Sequence, residues 1–248
     1  MSVLRPQQGS YRWFGGDYGD AFRKKIGCLL ETPNFYHYLS GEENLRITVS
    51  ISGRGNEEEI GRVLKTVGLF ERRKHRFGTY SLGMKQRLAI GAALLGDPRV
   101  LVLDEPTNGL DPVGIAEIRA LIRKLNQEGR TILIASHLLD EVEKVCTHVA
   151  ILKKGVLLTE GPVSDVLMDE DVVEMKADDL ARLQAHLTAQ QIETIIDAEQ
   201  GLICARFPKG KARMEELNRA CMEQGVVLTH LLLRKKKLET RFFELTND

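Results

Sequence analysis

The segment VLVLDEP, Val100 to Pro106, constrains everything around it. Four apolar residues in a row, bounded by polar ones, suit a strand buried on both faces of a parallel sheet. Two acids come next at its carboxyl end, and in open α/β sheets ligands bind outside the carboxyl ends of strands. Asp104 therefore suits a Mg²⁺ ligand, acting through water because Mg²⁺ keeps several of its waters. Glu105 suits a base that orients a water for attack on phosphorus. An acid pair after a strand also opens ordinary helices and turns, so the pair alone leaves both readings standing.

Around this strand the chain alternates helix and strand. Residues 1–30 read as short strands and turns. SGEENLRI opens with a cap at Ser40 and acids in the first turn of a helix. Asn56 to Phe70 predicts a helix capped by Asn56 with Glu59 three residues on, and Ile60, Val63, Leu64 and Val67 form its apolar face. Arg87 to Leu95 is helical and Gly96-Asp97-Pro98 ends it. Asp111-Pro112 starts a helix with Ile115, Ile118, Ile122 and Leu125 on one side, stopped by Gly129. Thr131 to Ala135 reads as a second buried strand. Strand, helix, strand in this order requires a right-handed crossover in a parallel sheet. A helix from about His137 to Cys146 and a hairpin turning at Lys154-Gly155 come after it.

After about Asp169 the texture changes. Residues 172–175, 192–196, 202–207 and 226–233 read as strands, helices fill the gaps, and a last helix covers 238–245. The division expected is 1–168 and 169–248, the second part a small α+β domain near the low end for a folding unit.

Lys plus Arg equals Asp plus Glu at 35 each, so no net field pulls the whole chain onto nucleic acid or lipid. Cys28, Cys146, Cys204 and Cys221 show no close pairing and read as buried or idle thiols in a reducing compartment. No apolar run approaches the length of a membrane span. A membrane role is expected to come through a partner, without direct insertion and without nucleic acid.

Further segments carry chemistry. In YSLGMKQRLAIGAALL, Ser81 and Gly83 open a helix, where free N–H groups and the dipole favour an anion. Gly83 lets a phosphate come close to the backbone. Asn108-Gly109-Leu110-Asp111 is a turn before a helix. TILIASH puts Ser136 and His137 just past a strand, where a histidine can reach a terminal phosphate. Each of these is bland by itself.

Together, in this order and spacing, they closely resemble the ABC-transporter nucleotide-binding domain from about residue 3 to residue 165. Tyr80 to Arg87 resembles the family's signature motif, Leu101 to Pro106 its Walker B, Asn108 to Asp111 its D-loop, and Ser136-His137 its switch histidine. Gly27 to Leu45 resembles the Q-loop and coupling region, with Glu31 where most members have glutamine. Leu82 and Met84 depart from the usual signature in the manner of bacterial ABC-2 and antibiotic-resistance exporters. The tail LETRFFELTND resembles the end of such ATPases.

The resemblance implies an α/β fold: a partial P-loop NTPase with a mostly parallel sheet and a helical subdomain, plus the small C-terminal α+β domain. It implies ATP and Mg²⁺ as cofactors. Glu105 and His137 are the catalytic candidates and Asp104 the metal ligand. Ser81, Gly83, Gln86, Asp111 and Glu31 are the nucleotide-contact candidates. The implied partners are a membrane-spanning permease, met by the aromatic stretch Phe35 to Tyr38, and a second ABC ATPase domain. The implied place is the cytoplasmic face of the cell membrane.

One motif is missing. No G-x-x-x-x-G-K-[ST] occurs; Gly210-Lys211-Ala212 is the nearest fragment. The loop's N–H groups and lysine hold phosphates, and its hydroxyl holds Mg²⁺. The start SVLRPQQGSYRWFGGD resembles the stretch just beyond that loop and its helix in the family, so the expectation is a chain cut short before it. The expected function is the ATP-binding subunit of an exporter, inactive in hydrolysis as this chain. The alternatives are a non-catalytic subunit whose signature completes a partner's site, and a soluble non-transport ABC ATPase.

Overall fold

The computed structural model describes residues 8, 9, 12–16, 22, 24–32, 34–167, 170–197, 200–208, 210–234 and 237–246. Most of the expected strand-and-turn reading of residues 1–30 therefore lies outside the described residues; Trp13 and Gly16 bridge across a tight turn. Pro33, Lys235 and Lys236 lie outside them too. The chain divides into two compact units, 1–138 and 139–248. The boundary expected at 168/169 falls inside the second unit, between its helix 163–167 and its strand 170–177.

The first unit is built on three parallel strands, β1 (Ile26–Leu29), β2 (Val100–Asp104) and β3 (Thr131–Ala135), in that spatial order. Cys28 lies beside Val102, which lies beside Leu133. Leu101 and Leu103 are fully buried against the helix layer, as the apolar run requires. That layer comes very close. A Cβ on Gly27 would collide with the carbonyl oxygen of Ala93 and the side chain of Leu101.

The helices of this unit are α1 (Gly41–Ser52), α2 (Glu57–Thr66), α3 (Leu82–Leu94) and α4 (Pro112–Gln127). Ser40 and Glu43 form a capping box at the start of α1. Asn56 caps α2, and Ile60, Val63 and Leu64 are its buried face. The helix ends at Thr66, four residues before the expected end, because the chain turns at Gly68 with φ +69°, a conformation a helix cannot hold. Ser81 caps α3, so that helix starts five residues before Arg87. Asp111 caps α4, with Pro112 at its first position.

One expectation fails in an informative way. β3 is not buried; its residues alternate between exposed and half-buried, and Leu133 is 58% exposed. It is the edge of the three-stranded sheet, and the row Cys28, Val102, Leu133 lies on the less covered face. Cys28 is likewise exposed rather than buried.

The second unit begins with α5 (Leu139–Val145), the hairpin β4 (His148–Lys153) and β5 (Val156–Pro162), and α6 (Val163–Leu167). Lys154 and Gly155 both have positive φ, the geometry of a tight two-residue hairpin turn. Next come β6 (Glu170–Ala177), α7 (Leu180–Ala189), β7 (Glu193–Asp197), β8 (Leu202–Pro208), α8 (Met214–Glu223), β9 (Leu228–Arg234) and α9 (Leu238–Thr246). The four strands β6–β9 form an antiparallel sheet in the order β7-β8-β6-β9, a split βαβ arrangement. Val173, Met175, Ile203 and Ala205 of the sheet pack on Leu183, Leu187, Leu217 and Cys221 of its two helices.

α9 does not join that core. Leu238 is fully buried with Ile151 and Val166, and its N–H donates to Oε2 of Glu143 at 3.0 Å. The last helix therefore packs back on α5, α6 and the hairpin, which reconciles the single unit 139–248 with its two kinds of sheet.

Candidate functional site

The site grows from the carboxyl ends of β2 and β3. Asp104 pairs with Ala135 in the ladder, and its exposed carboxylate makes no hydrogen bond among the described residues. At Glu105 the chain leaves the strand with φ +46°, a left-handed backbone that a residue with a Cβ rarely adopts. Two backbone bonds hold it there: the Glu105 N–H donates to Ala135 O at 2.9 Å, and Asn108 N–H donates to Glu105 O at 3.2 Å. Non-glycine residues in this region are strained, and such strain gathers at functional sites.

The strained backbone aims the carboxylate at the end of β3. Oε1 of Glu105 lies 2.9 Å from Nδ1 of His137 and accepts from the His137 backbone N–H at 3.0 Å. Oε2 lies 3.4 Å from the Ser136 hydroxyl. Ser136 in turn accepts from the Leu138 N–H at 3.1 Å, which fixes the turn after the strand. The histidine ring is mostly exposed and free to meet a ligand on its other side.

A second pair joins the other expected loops. Nδ2 of Asn108 donates to Oε1 of Glu31 at 3.0 Å, across 77 residues of sequence. Gly109, with φ +71°, would bring a Cβ within 3.3 Å of Leu82. The turn after β2 thus touches both the loop after β1 and the start of α3.

Ser81 and Gly83 stand at that start. The Ser81 hydroxyl accepts from the Met84 N–H at 3.2 Å, an ordinary cap. Nothing lies within 4 Å of where a Gly83 Cβ would be, so the backbone is open to an approaching group. Gln86 is elsewhere. It is 3% exposed, on the inner side of α3, and its Nε2 has no hydrogen-bond partner among the described residues. Asp111 spends one carboxylate oxygen on the Gly114 N–H at 2.7 Å.

Comparison with known proteins gives these positions a family. The family model described as ABC transporter matches residues 1–108. The bacitracin transport ATP-binding protein BcrA of Enterococcus faecalis is 35% identical over 250 residues, covering 99% of this chain and 80% of that protein. The chain belongs to the ABC transporter family. BcrA of Bacillus licheniformis is also 35% identical, over 99% of this chain and 81% of its own length. Among solved structures, cbiO1 of Clostridium perfringens, part of the ABC transporter complex cbiONQ, aligns with a TM-score of 0.59 at 30% identity, over 66% of this chain and 70% of that one.

The ABC family implies ATP and Mg²⁺, and the residues present fit them unequally. Asp104 offers a hard, unpaired oxygen donor suited to Mg²⁺. Among the described residues no cluster of three or more His, Cys, Asp or Glu side chains can hold a metal. Asp104 would by itself supply one ligand, and a cation held there would need other oxygens. For the triphosphate the sequence offers no G-x-x-x-x-G-K-[ST] loop, and its nearest fragment, Gly210 and Lys211, forms a turn after β8 in the second unit, with Lys211 N–H on Pro208 O. Ser136 and Asn108 are the contributors that residue-by-residue reading underweights, because each acts by bonding a carboxylate far away in sequence.

Proposed function

We propose that this chain is the ATP-binding subunit of an ABC exporter, working through a separate permease at the cytoplasmic face of the membrane. The name of BcrA, a bacitracin transport protein matched along nearly the whole chain, supports the exporter class. In this reading residues 139–168 belong functionally with the ATPase module, and the β6–β9 sheet with its helices is the accessory domain. Glu105 is the base that orients a water, Asp104 a metal ligand, and His137 the contact for a terminal phosphate. Ser81 and Gly83 serve the nucleotide of a second ABC domain, and Asp111 and Glu31 lie in the loops around the site. The observation that carries the reading is the left-handed Glu105, whose carboxylate meets His137 at the carboxyl end of a parallel sheet.

A second reading has its own support. The helix start at Ser81 is intact and open at Gly83, whereas no phosphate-binding loop occurs in these residues. A subunit of this kind completes a partner's ATP site without filling its own. One experiment separates the two. The 248-residue chain is mixed with an ABC domain that has its own phosphate loop but a disabled signature, and ATP turnover is measured. Restored turnover that is abolished by Gly83→Asp in this chain supports the second reading. Turnover that appears only when a phosphate-loop segment is fused to this chain, and is lost with Glu105→Gln, supports the first. No turnover in either format contradicts both.

A further inference from the structure

The two helices of the β6–β9 sheet pack on one side of it. Val173, Met175, Ile203 and Ala205 point into that core and are fully buried. Side chains alternate across a strand, so the residues between them stand on the opposite face. The ladder sets these in rows. Ile195 lies beside Cys204, Cys204 beside Glu174, and Glu174 beside Leu232. In the next row Glu193 lies beside Arg206, Arg206 beside Val172, and Val172 beside Arg234.

Two properties distinguish this face. It leaves apolar side chains in water: Ile195 and Leu232, at its two margins, are 47% and 49% exposed. Cys204 and Val172 between them are half-buried. The solvent face of an antiparallel sheet ordinarily carries polar residues. Its charge is also sorted from side to side. In the order β7-β8-β6-β9, the acids Glu193 and Asp197 sit on the outer strand β7, and Arg234 sits on the outer strand β9. The ion pairs within the face are loose. Arg206 lies 3.7 Å from Glu193 and Arg234 lies 3.3 Å from Glu174, and the Glu193 and Arg234 side chains remain 68% and 64% exposed. Both can accept a further partner.

We propose that this face pairs with the same face of a second copy of the chain, about a two-fold axis parallel to the strands. Such an axis lays β7 of one copy over β9 of the other. It sets Ile195 over Leu232 of the second copy and Glu193 over Arg234 of the second copy, and symmetry makes each contact twice. An axis across the strands would instead set β7 over β7, acid against acid. A nucleic acid or an anionic leaflet calls for one sign of charge, whereas this face sets Glu174, Glu193 and Asp197 against Lys176, Arg206 and Arg234. Four strands about 4.8 Å apart, each presenting about five residues of 3.3 Å, make a face of about 19 by 17 Å. That is small against the roughly 800 Å² per partner of a standard interface, so the pairing is weak and depends on concentration. It requires no nucleotide and does not involve Ser81 or Gly83, so it is independent of the ATP-binding role proposed above.

Sedimentation equilibrium of the 248-residue chain without nucleotide, over a concentration series, tests this. The expected result is a reversible monomer–dimer equilibrium. Ile195→Ser with Leu232→Ser should weaken it by about 100-fold. Glu193→Arg alone and Arg234→Glu alone each set like charges together and should each weaken it by about tenfold. Mixed one to one, those two charge variants should regain the parent's association, because every Glu193–Arg234 position then joins opposite charges again. Gly83→Asp should leave the equilibrium unchanged. Thermal melts check that each variant is folded, and the serine double variant carries the test if a charge variant is not. A chain that stays monomeric throughout the series, a folded serine double variant that pairs normally, or folded charge variants that pair no better mixed than apart overturns the proposal. So does a dimer lost with Gly83→Asp, which moves the contact to the helix start at Ser81.

Discussion

Glu105 and His137, 32 residues apart in sequence, meet through one carboxylate oxygen that lies 2.9 Å from Nδ1 and 3.0 Å from the backbone N–H of the histidine. A strained backbone at the end of β2 and a short turn at the end of β3 are both needed for that meeting. In a chimera that joins a phosphate-loop segment of an ABC relative to this chain, Glu105→Gln should bind ATP and lose hydrolysis by about 100-fold or more, the scale of positioned acid–base work. The amide keeps an oxygen for the His137 N–H and removes the base. Phosphate release and nucleotide binding are measured side by side; turnover near that of the parent chimera removes Glu105 from the role of base.

Gly83→Asp separates folding from assembly. The space around a Gly83 Cβ is open, so the variant should melt within about 0.5 kcal/mol of the parent. It should nonetheless block ATP-driven pairing of a hydrolysis-dead chimera, because the added carboxylate opposes the partner's γ-phosphate. Size-exclusion with and without ATP reads the result. A variant that pairs normally leaves Ser81 and Gly83 as a plain helix start.

Gly27→Ala tests the packing that positions the site. The added methyl meets a backbone oxygen of α3, which cannot swing aside as a flexible side chain does. The strand and the helix layer must separate, at a cost of about 3 kcal/mol or more. Denaturant melts of the first unit should show it; a melt unchanged from the parent contradicts so close an approach of β1 to α3.

The cap of α1 carries a pH signature. The Ser40 hydroxyl and N–H both donate to Glu43, at 2.6 and 2.7 Å, and hold its carboxyl below its ordinary value of 4.5. A carboxyl whose pKa is lowered by folding stabilises the fold above its unfolded value and loses that effect as pH falls through the folded one. Ser40→Ala should cost about 1 kcal/mol near neutral pH. The gap between variant and parent should narrow as pH falls below the ordinary carboxyl range. Urea melts across pH show this, and a gap that widens in acid contradicts it.

Much of the fold was legible in the sequence, for reasons that differ by residue. The apolar run 100–103 and the acids after it announce a strand and its functional end, since only the carboxyl end of a parallel strand opens to ligand. Ser40, Asn56, Ser81 and Asp111 announce helix starts because a short polar side chain there satisfies a free N–H. β3 misled because an apolar run looks the same whether one or both of its faces are covered; its exposure reflects its place at the sheet edge. Gln86, a nucleotide-contact candidate by resemblance, lies between Lys85 and Arg87, and the helix turns it inward. The Glu31–Asn108 pair spans 77 residues and has no local signal.

The central claim is that these 248 residues carry the carboxylates, histidine and signature-like segment of an ABC ATPase without the G-x-x-x-x-G-K-[ST] loop that holds a triphosphate. Isothermal titration of the purified, folded chain with Mg-ATP, with phosphate release measured in the same sample, tests it most directly. A triphosphate is held by clustered N–H donors, a lysine and a fixed metal, and the expected result is no saturable heat and no steady release. Micromolar affinity with steady phosphate release would contradict it.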